Sequence, residues 1–336
     1  MCAGYVNKFK WIVAFLGFWH IQLQAAQILI PMDVAQKNHL KAYGMAYWCL
    51  TQNIEVYWLL NYRGGSFLIP STPELLRKCA LRGISTEQLS DAGKQTLLNE
   101  ISNPEINQEA IKLEKAPKIA VYTPGGKQPW DDAVTLVLTY AEIPYDEVYD
   151  ESVFQGQLKK YDWLHLHHED FTGQYGKFYS GYAHTAWYQK EVFDNEAMAK
   201  KLGFNKVSKL KLHTAKTIRE FVFSGGFLFA MCSATDSYDI ALAAEGTDIC
   251  ESMYDHDAAN PNAAEQLDFS KGFAFENYQL SKNPYEYDYS NIDTYTTRAL
   301  KYPITQRNDR FMLFDFSAKW DPVPSMLCQN HENNLQ

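Results

Sequence analysis

Residues 225–236 read Gly225-Gly226-Phe227-Leu228-Phe229-Ala230-Met231-Cys232-Ser233-Ala234-Thr235-Asp236. Two glycines punctuate the chain, and five apolar residues follow with no polar alternation. A helical stretch from Asp236 to Glu245, ended by Gly246, comes next. A strand that is apolar on both faces belongs in a sheet covered on both sides, the usual setting of parallel strands. The residues between that strand and the helix then sit on a tight turn above the sheet. Cys232 occupies that turn.

The same alternation extends outward on both sides. Pro117 to Tyr122 (PKIAVY) reads as a strand, Pro129 to Ala141 as a helix, and Tyr161 to His167 (YDWLHLH) as a strand. Residues 185–203 and 208–223 have helical spacing. Upstream, Gln27 to Met32 and Ile54 to Leu60 read as strands around a helix over 38–52, and Arg63-Gly64-Gly65 breaks the second strand. Residues 72–102 look helical and 103–115 look like a charged linker. Strands separated by helices imply parallel pairing through right-handed crossovers. The expectation is an α/β, doubly wound, mostly parallel sheet of flavodoxin-like type, with 117–122, 161–167 and 227–231 as neighbours. The expected parts are 27–115, an α/β core over 116–250, and an irregular extension over 251–336. Within that extension Phe311 to Phe316 (FMLFDF) is the one clear late strand.

Ligands of an open parallel sheet bind outside the carboxyl ends of its strands. Three strands end in polar sequence there: Thr123-Pro124-Gly125-Gly126-Lys127, His167-His168-Glu169-Asp170 and Met231-Cys232-Ser233. A thiol at a helix N-terminus is held toward thiolate, and the turn's backbone amides can bind an oxyanion. Cys232 is thus a candidate nucleophile, although its turn lacks the glycines usual in a nucleophile elbow. The alternative is a small hydrophobe at a strand end. A nucleophilic thiol needs a base. His167 and His168 are the candidates, with Glu169 to orient an imidazole. Gly125, Gly126, Asp170, Ser233 and Asp236 are candidate binding positions in the same crevice. His165, His167 and Glu169 also permit a divalent-metal reading, but no second ligand cluster has a matching spacing. Neither glycine-rich turn fits a phosphate-binding motif. The expected site holds no metal and no cofactor.

Composition narrows the partners. The chain has 336 residues, 46% of them hydrophobic, with a formal charge of −9 and no basic run. A nucleic-acid partner normally needs a basic face, so none is expected. Aromatics reach 15% with 22 Tyr, which fits either an ordinary Tyr-rich core and surface or a sugar-stacking face. Residues 1–26 read as a signal peptide: Lys8 and Lys10, then the apolar run Trp11 to Trp19, then Ala25-Ala26. That run is too short to cross a bilayer, and no later stretch is long or apolar enough. A periplasmic or secreted location follows, with a small molecule or an envelope component as partner. Of the six Cys, Cys2 lies in the leader; the five left are an odd number, so at least one thiol is free.

The segments PKIAVY, YDWLHLHHEDFTGQYGKF and GGFLFAMCSATDSYDIALAAEGTDI resemble a family of exported proteins of Bacteroidetes-type bacteria commonly labelled asparagine synthetase B. The resemblance runs from QILIPMD to DPVPSMLCQNHEN. It implies a core like that of class I glutamine amidotransferases, with the nucleophile at the position of Cys232. It also implies a longer protein with a further Gly-rich strand. The label itself disagrees with the residues. Glutamine-dependent asparagine synthetases open Met-Cys-Gly, whereas Met1-Cys2-Ala3 begins the leader here. Ser224-Gly225-Gly226 runs into a strand, not into the Asp-Ser of an ATP-pyrophosphatase loop. Two expectations remain: a Cys-dependent hydrolase of an amide or ester, and a non-catalytic envelope protein binding a sugar or a protein through the same crevice.

Overall fold

The computed structural model describes residues 26–124 and 133–292. Two sheets organise the chain. The first comprises β1 (Gln27–Ile30), β2 (Val56–Leu60), β3 (Ser66–Pro70), β4 (Glu87–Leu89) and β5 (Glu109–Leu113) in the order β4-β1-β3-β2-β5. Every pairing in it is antiparallel. This departs from a mostly parallel sheet. The cause lies in residues 61–65, where Asn61, Arg63, Gly64 and Gly65 all take positive φ and fold β2 back onto β3 as a hairpin. A short connection can join only antiparallel strands. The stretch expected to be a linker holds β5, whose polar sequence suits a sheet edge.

The second sheet is parallel throughout: β6 (Ile119–Tyr122), β7 (Tyr145–Val148), β8 (Trp163–Leu166) and β9 (Phe227–Ala230), in the order β7-β6-β8-β9. Its register aligns Tyr122 with Leu166 and Leu166 with Ala230. The expected neighbours are therefore adjacent and parallel. The strand β7 has two exposed acidic residues among its four and so carries no apolar run that would mark it in the sequence.

The helices cover the parallel sheet unequally. Against one face pack α5 (Asp150–Phe154), α8 (Val207–Phe223) and α9 (Ser233–Ala243), burying Tyr122, Leu164, Leu166 and Ala215. On the other face α4 (Ala133–Ala141) contributes Val134 and Leu138, which meet Ile119, Val121 and Trp163. The helix α1 (His39–Thr51) joins the two sheets. Its Ala42, Met45 and Cys49 enter the core of the first sheet, and its Tyr47 packs with Val121 and donates to the Pro117 carbonyl at 2.8 Å. A Cβ at Gly44 would stand 1.7 Å from the Ala141 carbonyl oxygen, so only glycine lets α1 and α4 approach this closely. The long polar stretch 72–102 divides into α2 (Pro73–Leu81), β4 and α3 (Asp91–Ile101), because Gly83 at φ 68 ends the first helix. Between α9 and Ile292 the chain forms short helical turns and one antiparallel bridge, Leu280 to Ser290, and buries Phe275, Tyr278 and Tyr289 against Ile240 and Ala243. The expected strand 311–316, the leader 1–25, Gly125 and Gly126 lie outside the described residues.

Among the described residues, no helix is long and apolar enough to cross a membrane.

Candidate functional site

The strand register sets the site. One step beyond the aligned trio Tyr122, Leu166 and Ala230 come Thr123, His167 and Met231, and one step further Pro124, His168 and Cys232. Parallel strands stand about 4.8 Å apart, so the three loops leave the sheet side by side.

Cys232 is the N-cap residue of α9, with φ 52 and ψ −144, and its side chain is exposed. A non-glycine residue in this region is strained by about 1–3 kcal/mol and persists only where its surroundings enforce it. The enforcing bonds are on both sides. The Met231 amide donates to the Leu166 carbonyl at 3.0 Å, completing the β8–β9 ladder. The Thr235 amide donates to the Cys232 carbonyl at 3.0 Å, which starts the helix. The chain has to turn from strand to helix within the single residue between them.

The loop after β8 is fastened to the same turn. Ser233 Oγ donates to the His168 carbonyl at 3.1 Å, and the Ala234 amide donates to the His167 carbonyl at 3.3 Å. One helical turn on, Ser237 Oγ donates to the Glu169 carbonyl at 3.1 Å and accepts from the Phe171 amide at 3.4 Å. Ser237 was not among the residues singled out from sequence. The i, i+4 spacing of Ser233 and Ser237, which places both hydroxyls on one helix face, was the available signal.

The two histidines turn toward each other. His167 Nδ1 and His168 Nδ1 are 3.0 Å apart, so one imidazole donates to the other. Their rings meet edge to face at 4.6 Å. The buried Glu169 accepts from the His167 amide through Oε2 at 3.2 Å. His165, two residues before His167, instead lies flat on Phe229 with ring centroids 5.2 Å apart.

Asp170 shapes the loop. Its Oδ1 accepts from the Thr172 amide at 2.7 Å and from Thr172 Oγ1 at 2.6 Å; its Oδ2 accepts from the Gln174 amide at 2.6 Å and the Gly176 amide at 3.3 Å. Asp236 lies in the first turn of α9, where a carboxylate is favoured by the helix dipole, and accepts from the Ser237 amide at 2.9 Å. At the end of β6, Thr123 Oγ1 is buried with no hydrogen-bond partner among the described residues.

Among the described residues, only Asp248, Asp255 and Asp257 bring three ligand atoms within 4.8 Å of one another; His165, His167 and Glu169 do not. The acidic trio already surrounds an ammonium: Lys206 Nζ is 2.8 Å from Asp248, 3.0 Å from Asp255, and paired with Asp257.

The other described thiols are buried, whereas Cys232 is exposed. Burial pushes Cys49 up to about 12 and Cys79 up to about 11. Cys250 is raised well above its ordinary value by burial and by neighbouring carboxylates, Asp255 first. These three are packing residues.

No family model, curated protein or solved structure matches this chain. The chemistry of the site must therefore be read from its own geometry. A cavity is lined by Phe171, Ser208, Lys209, Ala244 and Asp248; Cys232, which is exposed, does not line it.

Proposed function

We propose that this chain is an exported, amidotransferase-like hydrolase that uses Cys232 to cleave an amide or ester. The observation that carries the reading is the backbone of Cys232, at φ 52 and ψ −144 between β9 and α9. A strained, exposed cysteine between a parallel strand and an 11-residue helix is the arrangement of a nucleophile elbow. Resemblance to the class I amidotransferase core, with its doubly wound sheet, agrees with the β6-β8-β9 order and with helices on both faces.

In this reading the Cys232 thiolate attacks the substrate carbonyl carbon, and the carbonyl π electrons move onto oxygen. The Ser233 amide, at the first position of α9 where no intrahelical acceptor exists, would receive that oxyanion. Collapse of the tetrahedral intermediate expels the amine or alcohol, which takes a proton, and leaves a thioester. Water then adds to the thioester, releasing the acid and restoring the thiol. His168, level with Cys232 in the continued strand register, and His167, one step before it, serve as the proton-transfer pair, and Glu169 holds the loop that carries them. The leader over residues 1–26 directs this chemistry outside the cytoplasm, on a small molecule or an envelope component.

The test is hydrolysis of a panel of activated esters and amides by the mature protein, compared with Cys232→Ser. Activity lost in Cys232→Ser with the fold intact supports the reading. Equal activity in both proteins, or none in either while a sugar or protein ligand binds, refutes it. Mass spectrometry of the exported protein should place its N-terminus near Ala26 or Gln27; an intact Met1 refutes export.

A further inference from the structure

Beyond the Asp170 loop the chain gathers aromatic rings at its surface. Phe178 follows that loop, Tyr182 ends the short helix α6 (Tyr179–Tyr182), and Trp187 stands in the first turn of α7 (Ala186–Lys201). Phe178 is partly buried and touches three rings, with centroids 5.9 Å from Tyr182, 5.8 Å from Trp187 and 5.5 Å from Tyr287. Tyr182 and Trp187 also meet each other at 5.2 Å. The three outer rings stay half in water: Tyr182 is 46% exposed, Trp187 46% and Tyr287 52%. Tyr287 comes from a distant segment, and a buried ammonium places it. Lys177, the neighbour of Phe178, donates to the Ser281 carbonyl at 3.0 Å and to the Asp288 carbonyl, beside Tyr287, at 2.7 Å. Burying a charge is costly, and here the charge fixes the two ring-bearing segments side by side. The turn between Tyr182 and Trp187 is held as well, because the Tyr182 carbonyl accepts from the Thr185 amide at 2.8 Å and from Thr185 Oγ1 at 2.7 Å. The rings are therefore set before any ligand arrives, which lowers the entropy lost on binding.

We propose that Tyr182, Trp187 and Tyr287 form a platform that binds the rings of a neutral sugar. Size argues for a small ligand. Three half-exposed aromatic side chains offer about 300 Å², the extent of a functional patch on a monomer. Each partner of a stable protein pair buries about 800 Å². Chemistry argues for a sugar. A pyranose has a flat face of C–H groups and a rim of hydroxyls. Its C–H face suits the negative faces of aromatic rings, while the phenol hydroxyls and the indole N–H can meet its rim. An anionic ligand is disfavoured by exposed Glu286, beside Tyr287, by exposed Glu191, one helical turn after Trp187, and by the formal charge of −9. A cation held in an aromatic cage needs a hollow among the rings, and Phe178 fills that place. The inference is independent of the chemistry proposed for Cys232.

Isothermal titration calorimetry of the full chain against cellohexaose, xylohexaose, mannohexaose and chitohexaose tests the platform. At least one of the four should bind. Trp187→Ala and Tyr287→Ala should each weaken that binding by about tenfold. Trp187→Phe, which keeps a ring, should hold it within about threefold of the parent. Phe193→Ala, at an exposed ring of α7 outside these contacts, should leave it unchanged. Cys232→Ser should bind as the parent does, which separates this site from the proposed hydrolase. The two alanine variants lie in separate segments, so loss of fold in one, read by circular dichroism, leaves the other as the test. Four results overturn the proposal: no binding of any of the four sugars at millimolar concentration, binding indifferent to both alanine substitutions, binding of choline in place of the sugars, and self-association without sugar binding that Trp187→Ala abolishes. The third would make the rings a cation site, and the last would assign them to a second copy.

Discussion

Ser233 Oγ donates to the His168 carbonyl at 3.1 Å, which ties the turn after β9 to the loop after β8. The residues flanking this bond are Cys232 in the turn after β9 and the His167–His168 pair in the loop after β8. In the proposed hydrolase, this tie would hold Cys232 and the two histidines in a fixed relation more closely than two independent loops would.

Alkylation should discriminate among the described cysteines. Cys232 is exposed on its turn, whereas burial raises the pKa of Cys49, Cys79 and Cys250. With iodoacetamide on the folded protein near pH 7.5, peptide mapping should show Cys232 modified first and the other three only after denaturation. Modification of Cys49 or Cys79 at a comparable rate would contradict the burial pattern.

Strain at Cys232 predicts an unusual stability order. Glycine tolerates φ 52 and ψ −144 far better than alanine. Cys232→Gly should therefore be more stable than Cys232→Ala by about 1 kcal/mol, the reverse of the order at an ordinary helix position. Urea denaturation of the two variants measures this directly, and an alanine variant as stable as the glycine one would argue against the strain.

The buried pair Lys211–Asp150 should show a strong penalty when broken on one side. Lys211 Nζ lies 2.7 Å from Asp150 Oδ2, and Asp150 also accepts from Tyr122 Oη at 2.6 Å and Thr214 Oγ1 at 2.9 Å. Both side chains are almost inaccessible to water. Lys211→Met strands a buried carboxylate and should cost about 3–5 kcal/mol. Adding Asp150→Asn should recover part of that loss, because the remaining site is then uncharged. A double-mutant cycle with no recovery would refute the coupling.

Acid should weaken the contact between the two sheets. Glu142 accepts from Lys41 at 2.8 Å and from Arg82 at 2.9 Å, which brings α4 to α1 and α2. The Lys41 hydrogen bond first, and then Arg82, hold its carboxyl below the ordinary 4.5. A depressed folded pKa contributes stability that is present above 4.5 and fades as the pH falls through the folded value. Glu142→Gln should thus be less stable than the parent at pH 7, and the difference should be smaller at pH 3. An unchanged difference between these two pH values would exclude the linkage.

Much of the parallel half was legible in the residues. PKIAVY, YDWLHLH and FLFAM read as adjacent parallel strands because each is short, apolar and separated from the next by helical spacing. The helix after Cys232 was also foreseen, although it begins three residues earlier than its apolar pattern, where the turn starts it. The N-terminal half was less legible. SFLIP ends in proline, Glu87–Leu89 is only three residues long, and Glu109–Leu113 is half polar. Such strands exist because neighbours supply their hydrogen bonds, so local composition does not announce them.

The sequence by itself determined which residues stand at the strand ends: Cys232, His167, His168 and Glu169 follow from where apolar runs stop. Only the tertiary structure decided that the first sheet is antiparallel, that Asp170 holds its own loop, and that His167 and His168 face each other. Patterning records whether a side chain is buried, a property of one residue and its period. Strand direction and hydrogen-bond partners depend on pairs of residues distant in sequence, and those pairs are chosen only when the chain closes on itself.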